Sequence, residues 1–485
     1  MATTSNPTAS RPYNMGYLIF ISIVGALGGF LFGYDTAVIS GTTEMVRSQF
    51  DLDAGGLGWY VGCALVGSIV GVIFAGVISD YFGRKKAMVI SALLFSASAI
   101  GCAVSSSMAW LVFYRIVGGA GIGVASIVCP LYISELSVAA YRGRLVSLYQ
   151  LAVTVGFLGA YIANYFVSVH AQDAMATVGS DPDFMQKIFV TESWRAMLGL
   201  EAFPAVLFFI VIFFIPESPR WLISRSRLDR AEGILAKVYN SMSAVKQEIK
   251  ATLASCTSES SESSNNFRLL LRPGILKAVA IGAAIAMLGQ FMGVNAVLYY
   301  GPQIFTDAGL DANDALLYQS AIGAVQILAT VIALCIIDKV GRKALIYWGV
   351  SGMIVTLLLI AGYFSFGESM GVPTIVMLIF FMAYIFCCAV SISAVIFVIL
   401  SEMYPTKVRG MAMSVAGLSL WVGTYLVGQL TPVLLEGLRP TGTFLLFAVM
   451  CVPYILIMWK LVPETTGKSL EEIERYWEPQ SPDNQ

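Results

Sequence analysis

Apolar stretches of about 20 residues or more recur along this chain about a dozen times, and no other feature limits its fold so strongly. A helix needs about 20 mainly apolar residues to cross a bilayer. The stretches fall at about 16–40, 57–79, 86–106, 109–133, 145–169 and 195–215, then at about 274–301, 314–337, 343–366, 373–400, 410–436 and 441–462. Of the 485 residues, 57% are hydrophobic and only 12% charged. A soluble domain carries roughly 25% charged residues, so the apolar excess faces something other than water. The first stretch is longer than the roughly 7–15-residue core of a signal peptide, and no small-residue cleavage site follows it. It is expected to stay as the first span. The expected class is an all-α membrane protein: twelve transmembrane helices in two six-helix pseudo-repeat bundles, with a cytoplasmic helical linker.

The remaining composition excludes several function classes. A net charge of −1 gives no electrostatic case for nucleic acid. Seven of the eight cysteines lie in apolar stretches and the eighth, Cys256, in a serine-rich segment. That is neither a disulfide framework nor a metal signature. The one histidine, His170, reads as a solvated loop residue, which leaves no histidine for chemistry inside the membrane. No H-E-x-x-H, G-x-S-x-G or Walker-type loop appears, so an enzyme is not expected. No cofactor or metal is expected either. Gly118-Gly-Ala-Gly121-Ile-Gly123 looks like a nucleotide loop but lies mid-span with no strand before it. With Gly25/Gly29/Gly33, Gly67/Gly71 and Gly119/Gly123 it reads as small-xxx-small spacing for close helix approach.

Lys and Arg crowd alternate loops: Arg84, Lys85 and Lys86; Arg142 and Arg144; the segment at about 217–273; Lys339, Arg342 and Lys343; Lys407 and Arg409. The other loops hold Arg47, Lys187, Arg439 and, at a span edge, Arg195. Positive loops stay cytoplasmic, which places both termini inside, and an inner-membrane location is expected. Three motifs then recur in order. Asp80-Tyr-Phe-Gly-Arg84-Lys returns as Asp338-Lys-Val-Gly-Arg342-Lys. Ser134-Glu135 with Arg142-Gly143 returns as Ser401-Glu402 with Arg409-Gly410, and Pro216-Glu217-Ser218 as Pro463-Glu464-Thr465. A duplicated six-span unit predicts two bundles that rock about a midplane site. Residues 1–216 form the first, 217–273 the linker, 274–463 the second and 464–485 a tail. Asp229–Asn240 reads as a surface helix and Ser255–Ser264 as flexible linker.

Asp35, Arg115 and Glu201 sit inside spans, where a charge costs at least roughly 2.5–3.5 kcal/mol. Each therefore needs a partner or a watery cavity, and Asp35 with Arg115 is the natural pair. Separating and rejoining such a pair loads and unloads a proton. The alternative is a static pair that only fixes packing.

Taken together, these motifs resemble the sugar porter family of the major facilitator superfamily over essentially the whole chain. Pro216-Glu-Ser-Pro-Arg220 and Pro463-Glu-Thr-Thr-Gly-Lys468 are the most specific signatures. Within the family the likeness is strongest to bacterial D-xylose/proton symporters. It is carried by Phe32-Gly-Tyr-Asp35, Tyr114-Arg115-Ile116, Gln290-Phe-Met-Gly-Val-Asn295 and Ser401-Glu402. The resemblance implies import of a monosaccharide by proton symport through alternating access, with sugar and proton as partners and a monomer in the bilayer. A passive facilitator and a non-transporting sensor are the alternatives. It makes Asp35, Arg115 and Glu201 the proton-coupling set. It places the sugar against Gln150, Gln290, Asn295, Tyr299 and Trp421, with Phe32 and Phe397 alongside. It makes Asp80, Arg84, Glu135, Arg142, Glu217, Asp338, Arg342, Glu402, Arg409 and Glu464 a cytoplasmic gate that holds the outward-facing state. Amides suit hydroxyls because they both donate and accept.

The chain also departs from the family pattern. Phe157, Gly289 and Leu420 replace polar groups, Gln326 stands for Asn, Phe397 for Trp, and Ser393-Ala-Val-Ile-Phe397 for Gly-Pro-x-x-Trp. A hexose, deoxy sugar or cyclitol is therefore as compatible as a pentose. The tenth span lacks the usual Pro hinge. Gly293 is expected to loosen the seventh span between Gln290 and Asn295.

Overall fold

The computed structural model describes residues 13–177, 183–270, 272–367, 369–405, 408–464 and 477, without the side chains of 256–268 and 338. The first half contains α1 (Met15–Val38), α2 (Thr43–Phe50), α3 (Ala54–Phe82), α4 (Arg84–Val104), α5 (Met108–Leu136), α6 (Arg142–Ala174), α7 (Phe184–Gln186), α8 (Trp194–Gly199) and α9 (Ala202–Ile212). The connecting segment folds as α10 (Pro219–Ser224), α11 (Leu228–Val238) and α12 (Met242–Leu270). The second half contains α13 (Pro273–Phe291), α14 (Val294–Asp307), α15 (Ala312–Val340), α16 (Arg342–Gly362), α17 (Thr374–Cys388), α18 (Ala394–Met403) and α19 (Arg409–Lys460).

Among the described residues, eleven helical runs, some of them joining two of these helices, are long and apolar enough to cross a membrane. The last, at 52 residues, would be about 78 Å long at 1.5 Å per residue, twice what one crossing needs. It breaks at Arg439 (φ 58°, ψ 169°), just before Pro440, and so supplies the eleventh and twelfth spans. Arg439, read as a loop residue, is the turn itself. The sixth span pauses at Leu200–Glu201 between α8 and α9. The seventh breaks between α13 and α14, where Gly293 takes φ +90° and a Cβ would run into the Phe447 ring. Only glycine adopts that conformation without strain. The tenth span lacks the Pro, but a π-helical turn at Ala389–Ser393 interrupts its α-helical ladder.

Glycine spacing sets how closely the spans pack. A Cβ on Gly67 would fall on the carbonyl oxygen of Ile116, and one on Gly119 on that of Ala64. The α3 and α5 backbones are therefore in direct contact, as small-xxx-small spacing permits. Gly118–Gly123 lies inside α5 and serves this packing.

Two readings of the polar segments need correction. The Ser/Glu stretch after Ser255 continues α12 as helix rather than linker coil. It contains no Gly or Pro, and it extends a turn already anchored where Ile249 packs beside Trp221, Leu222 and Ile223, so propagation is cheaper than a fresh nucleus. His170 lies in the last turns of α6, exposed but helical, because α6 continues to Ala174. The side chain of Cys256 lies outside the described residues.

The start of α1 lies on the face that carries α10–α12, since the Asn14 N–H donates to the Val238 carbonyl and the Tyr13 and Tyr239 rings meet edge-on. We call this the linker face. The halves meet along two seams, α3 with α19 and α6 with α15. Side-chain links across the seams cluster towards the opposite face. Gln429 donates to the Gly55 carbonyl (3.1 Å), Ser168 to Asn313 (2.8 Å), and Arg47 pairs with Glu436 (2.8 Å). At the linker face Arg84 pairs with Asp80 and Glu135 within the first half, and Arg342 with Glu402 within the second. The molecule is closed at the opposite face.

Candidate functional site

Three charged residues converge inside the first half. Asp35 on α1 and Arg115 on α5 form an ion pair at 2.6 Å, with Asp35 0% and Arg115 2% exposed. Gly118, one turn beyond Arg115, lets Ser98 of α4 approach, since a Cβ there would stand 2.9 Å from the Ser98 Cβ. Glu201, at the break between α8 and α9, is buried as well, and its carboxyl interacts with both Asp35 and Arg115. Asp35 Oδ2, Arg115 Nε and Glu201 Oε1 have no hydrogen-bond partner. Two carboxyls thus lie near one guanidinium, with Asp35 paired to it directly, and the cluster is neutral only when it holds one proton. A buried net charge is far costlier than a paired one.

A second group forms at the break in the seventh span. Gln290, in the last turn of α13, accepts hydrogen bonds from Asn295 Nδ2 (2.8 Å) and from Thr424 Oγ1 on α19 (3.1 Å). The Gln290 amide nitrogen and the Asn295 carbonyl oxygen stay available. Trp421 lies one turn before Thr424, and its ring meets Phe32 of the first half at 5.8 Å between centroids. Phe32 precedes Asp35 by three residues, so one face of α1 carries both the aromatic contact and the buried acid. Tyr299, one turn beyond Asn295 and buried, feels the charges of Arg115 and Asp35.

Asn295, Gln290, Tyr299, Trp421 and Phe32 are therefore brought together, as are Asp35, Arg115 and Glu201. Gln150 on α6 is exposed, as is Phe397 on α18 at 48%, and both stand outside this set of contacts. Thr424 escapes a reading of the sequence, although its place one turn from Trp421 is a usable signal. Gln326, a departure from the family pattern, has a buried Oε1 without a hydrogen-bond partner.

At the linker face Arg84 grips Glu135 through Nε (2.9 Å) and Nη2 (3.0 Å) and reaches Asp80 through Nη1 (3.1 Å). Ser218 donates to the same Glu135 carboxylate. Glu217 accepts from the Lys85 and Ser218 backbone N–H groups at 3.0 and 2.9 Å. Burial pushes its carboxyl above the ordinary range, against the pull of those bonds and of Arg84. Arg142 borders a small cavity with Glu135, Arg220 and Glu248. In the second half Arg342 pairs with Glu402 at 3.2 Å, and Arg409 donates to the Tyr404 carbonyl at 3.4 Å. Glu464 acts electrostatically on Tyr347. The side chain of Asp338 lies outside the described residues.

A sequence model of the "Sugar (and other) transporter" family matches residues 21–477. The arabinose-proton symporter of Bacillus subtilis (strain 168) is 36% identical over 97% of both chains. The D-xylose-proton symporter of Escherichia coli (strain K12) is 35% identical, again over 97% of both. The inward-open conformation of the E. coli xylose transporter XylE superposes with a TM-score of 0.79 at 33% identity, covering 95% of this chain and 100% of that one. The chain belongs to the sugar (and other) transporter family.

Proposed function

We propose that this protein imports a monosaccharide by proton symport, through alternating access of a site between its two halves. The observation that carries this reading is the junction of the two groups. Helix α1 carries Asp35 of the buried cluster and, one turn earlier, Phe32, whose ring meets Trp421 beside the Gln290–Asn295 amides. Proton occupancy of the first is then felt at the second. When Asp35 is protonated, the Arg115 contact weakens and α1 is free to move with the sugar. When the proton leaves, the ion pair re-forms and resets α1. The two similar symporters, named for arabinose and for D-xylose with protons, support the same chemistry.

In this reading residues 1–216 and 274–463 are the rocking units, 217–273 joins them and 464–485 is a tail. The linker face is cytoplasmic by its Lys and Arg content, both termini are inside, and the protein works as a monomer in an inner membrane. The linker-face charges Asp80, Arg84, Glu135, Arg142, Glu217, Asp338, Arg342, Glu402, Arg409 and Glu464 form the cytoplasmic gate. They pair across the halves when the molecule faces outward. Gln150 and Phe397 join the sugar when the halves close over it.

Uptake into proteoliposomes across a panel of pentoses, hexoses, deoxy sugars and cyclitols, with and without a pH gradient, tests the proposal. The native protein is expected to accumulate its sugar only with the gradient. Asp35→Asn is expected to keep sugar exchange and lose accumulation. Equal accumulation by the two proteins removes Asp35 from the mechanism, and gradient-independent equilibration by the native protein makes it a facilitator.

A further inference from the structure

We propose that Arg47 and Glu436 form a gating ion pair that holds the opposite face closed and so sets the balance between the two access states. The proposal rests on alternating access, not on the identity of the substrate.

Arg47 is in the last turn of α2, the eight-residue helix that follows the turn at the end of α1, and its guanidinium meets Glu436 on α19 at 2.8 Å. With both partners described, it is the ion pair that joins the halves. Helix α2 packs against α14 of the second half, and Asp307 at the end of α14 lies within the fields of Arg47 and of Glu44. Arg47 is thus a first-half cation that pairs with one second-half acid and acts through space on a second, with Glu44 as the opposing charge on its own helix.

The pair tops a continuous ridge. Tyr425, Gln429 and Glu436 lie on one face of α19. Gly62 rests against the Tyr425 ring and Gly58 against the Gln429 carbonyl, while the Gln429 amide donates to the Gly55 carbonyl. A tilt that opens this face separates α3 and α2 from α19. Every contact on the ridge then parts, and the ion pair with them.

The side chains of Arg47 and Glu436 are 32% and 54% exposed, so the attraction is screened and modest. A modest bias is what a reversible gate needs. An exposed pair is expected to change a two-state ratio by about two- to five-fold, whereas a much tighter one would trap the protein facing inward.

Pulsed electron paramagnetic resonance on the full-length protein tests this, with spin labels at Asp173 and Gly437, one on each half near the opposite face. The distance distribution is read without sugar and without a pH gradient, so the result does not depend on whether the protein is a sugar symporter. Arg47→Ala and Glu436→Gln are each expected to raise the share of the longer, open distance about two- to five-fold. The exchange of charges, Arg47→Glu with Glu436→Arg, is expected to return the native ratio. High salt is expected to shift the native protein the same way and to leave Arg47→Ala unmoved, and this arm stands even if a variant fails to fold. Unchanged distributions in both single variants overturn the proposal. So does a charge exchange no closer to native than its parents, or a native ratio indifferent to salt.

Discussion

At the scale of single residues, the site is built from side chains whose hydrogen-bonding capacity is only partly used. Gln290 accepts two bonds through one oxygen, which fixes its amide plane and points its nitrogen away from Asn295 and Thr424. Gln290→Ala removes the acceptor for both neighbours and a donor for the sugar. Sugar affinity is expected to fall by about ten-fold, from roughly 1–1.5 kcal/mol per lost bond, as read by titration calorimetry. Gln290→Glu is expected to be worse despite its similar size, because it brings an unpaired charge into the interface. Glu217 makes a different prediction. Burial raises its carboxyl above the ordinary 4.5, so the folded protein holds this proton to higher pH than the unfolded chain does. Its stability contribution is complete below about 4.5 and is lost as pH rises through the raised value. Thermal unfolding in detergent is expected to show Glu217→Gln losing less stability than the native protein between pH 4.5 and neutrality. Parallel curves would mean that burial of Glu217 has no energetic weight. The buried charges were legible in the sequence because a charged residue inside an apolar run has few explanations. Thr424 was not, because a threonine in a span is usually spent on its own helix, as this one also is through the Leu420 carbonyl.

At the scale of elements, helix packing explains why α1 and α5 can present Asp35 and Arg115 to each other. Their neighbours carry glycine at the contacts, so backbones touch and the polar side chains are left in the remaining space. Gly119→Leu would drive a side chain into the Ala64 carbonyl. Overpacking of this kind costs roughly 1–3 kcal/mol or more, and α3 is expected to move off α5. The expected result is a lower melting temperature together with a weaker response of transport to the pH gradient, because α5, which carries Arg115, loses its packing against α3. Gly143→Ala, where nothing lies within 4 Å, is the control and is expected to be neutral. The break in the seventh span was legible from Gly293 between two amides. The π-turn in the tenth was not, since the sequence offered only a missing Pro and no signal for what stands in its place. The continuation of α12 through the serines was lost because composition alone does not reveal an anchored first turn.

At the scale of the whole molecule, twelve spans and two repeated halves follow from apolar length and motif recurrence, but the access state does not. Both states share the same periodicity, the same charges and the same glycines. They differ in which end of each seam is joined. Here the α6–α15 seam is joined near Ala174 by Ser168 and Asn313, whose side chains meet at 2.8 Å, with Asn313 also bonded to Gln172. A covalent link at this point holds the opposite face shut. Ser168→Cys with Asn313→Cys, in a background with the native cysteines replaced, is expected to form a disulfide on mild oxidation. The oxidised protein is expected to bind sugar at close to native affinity, because Gln290, Asn295 and Trp421 are untouched. It is expected to carry no sugar across the bilayer, and reduction is expected to restore uptake. Transport that continues at the native rate with the disulfide formed would mean that this seam does not open during the cycle, and the two halves would then have to move about some other line of contact.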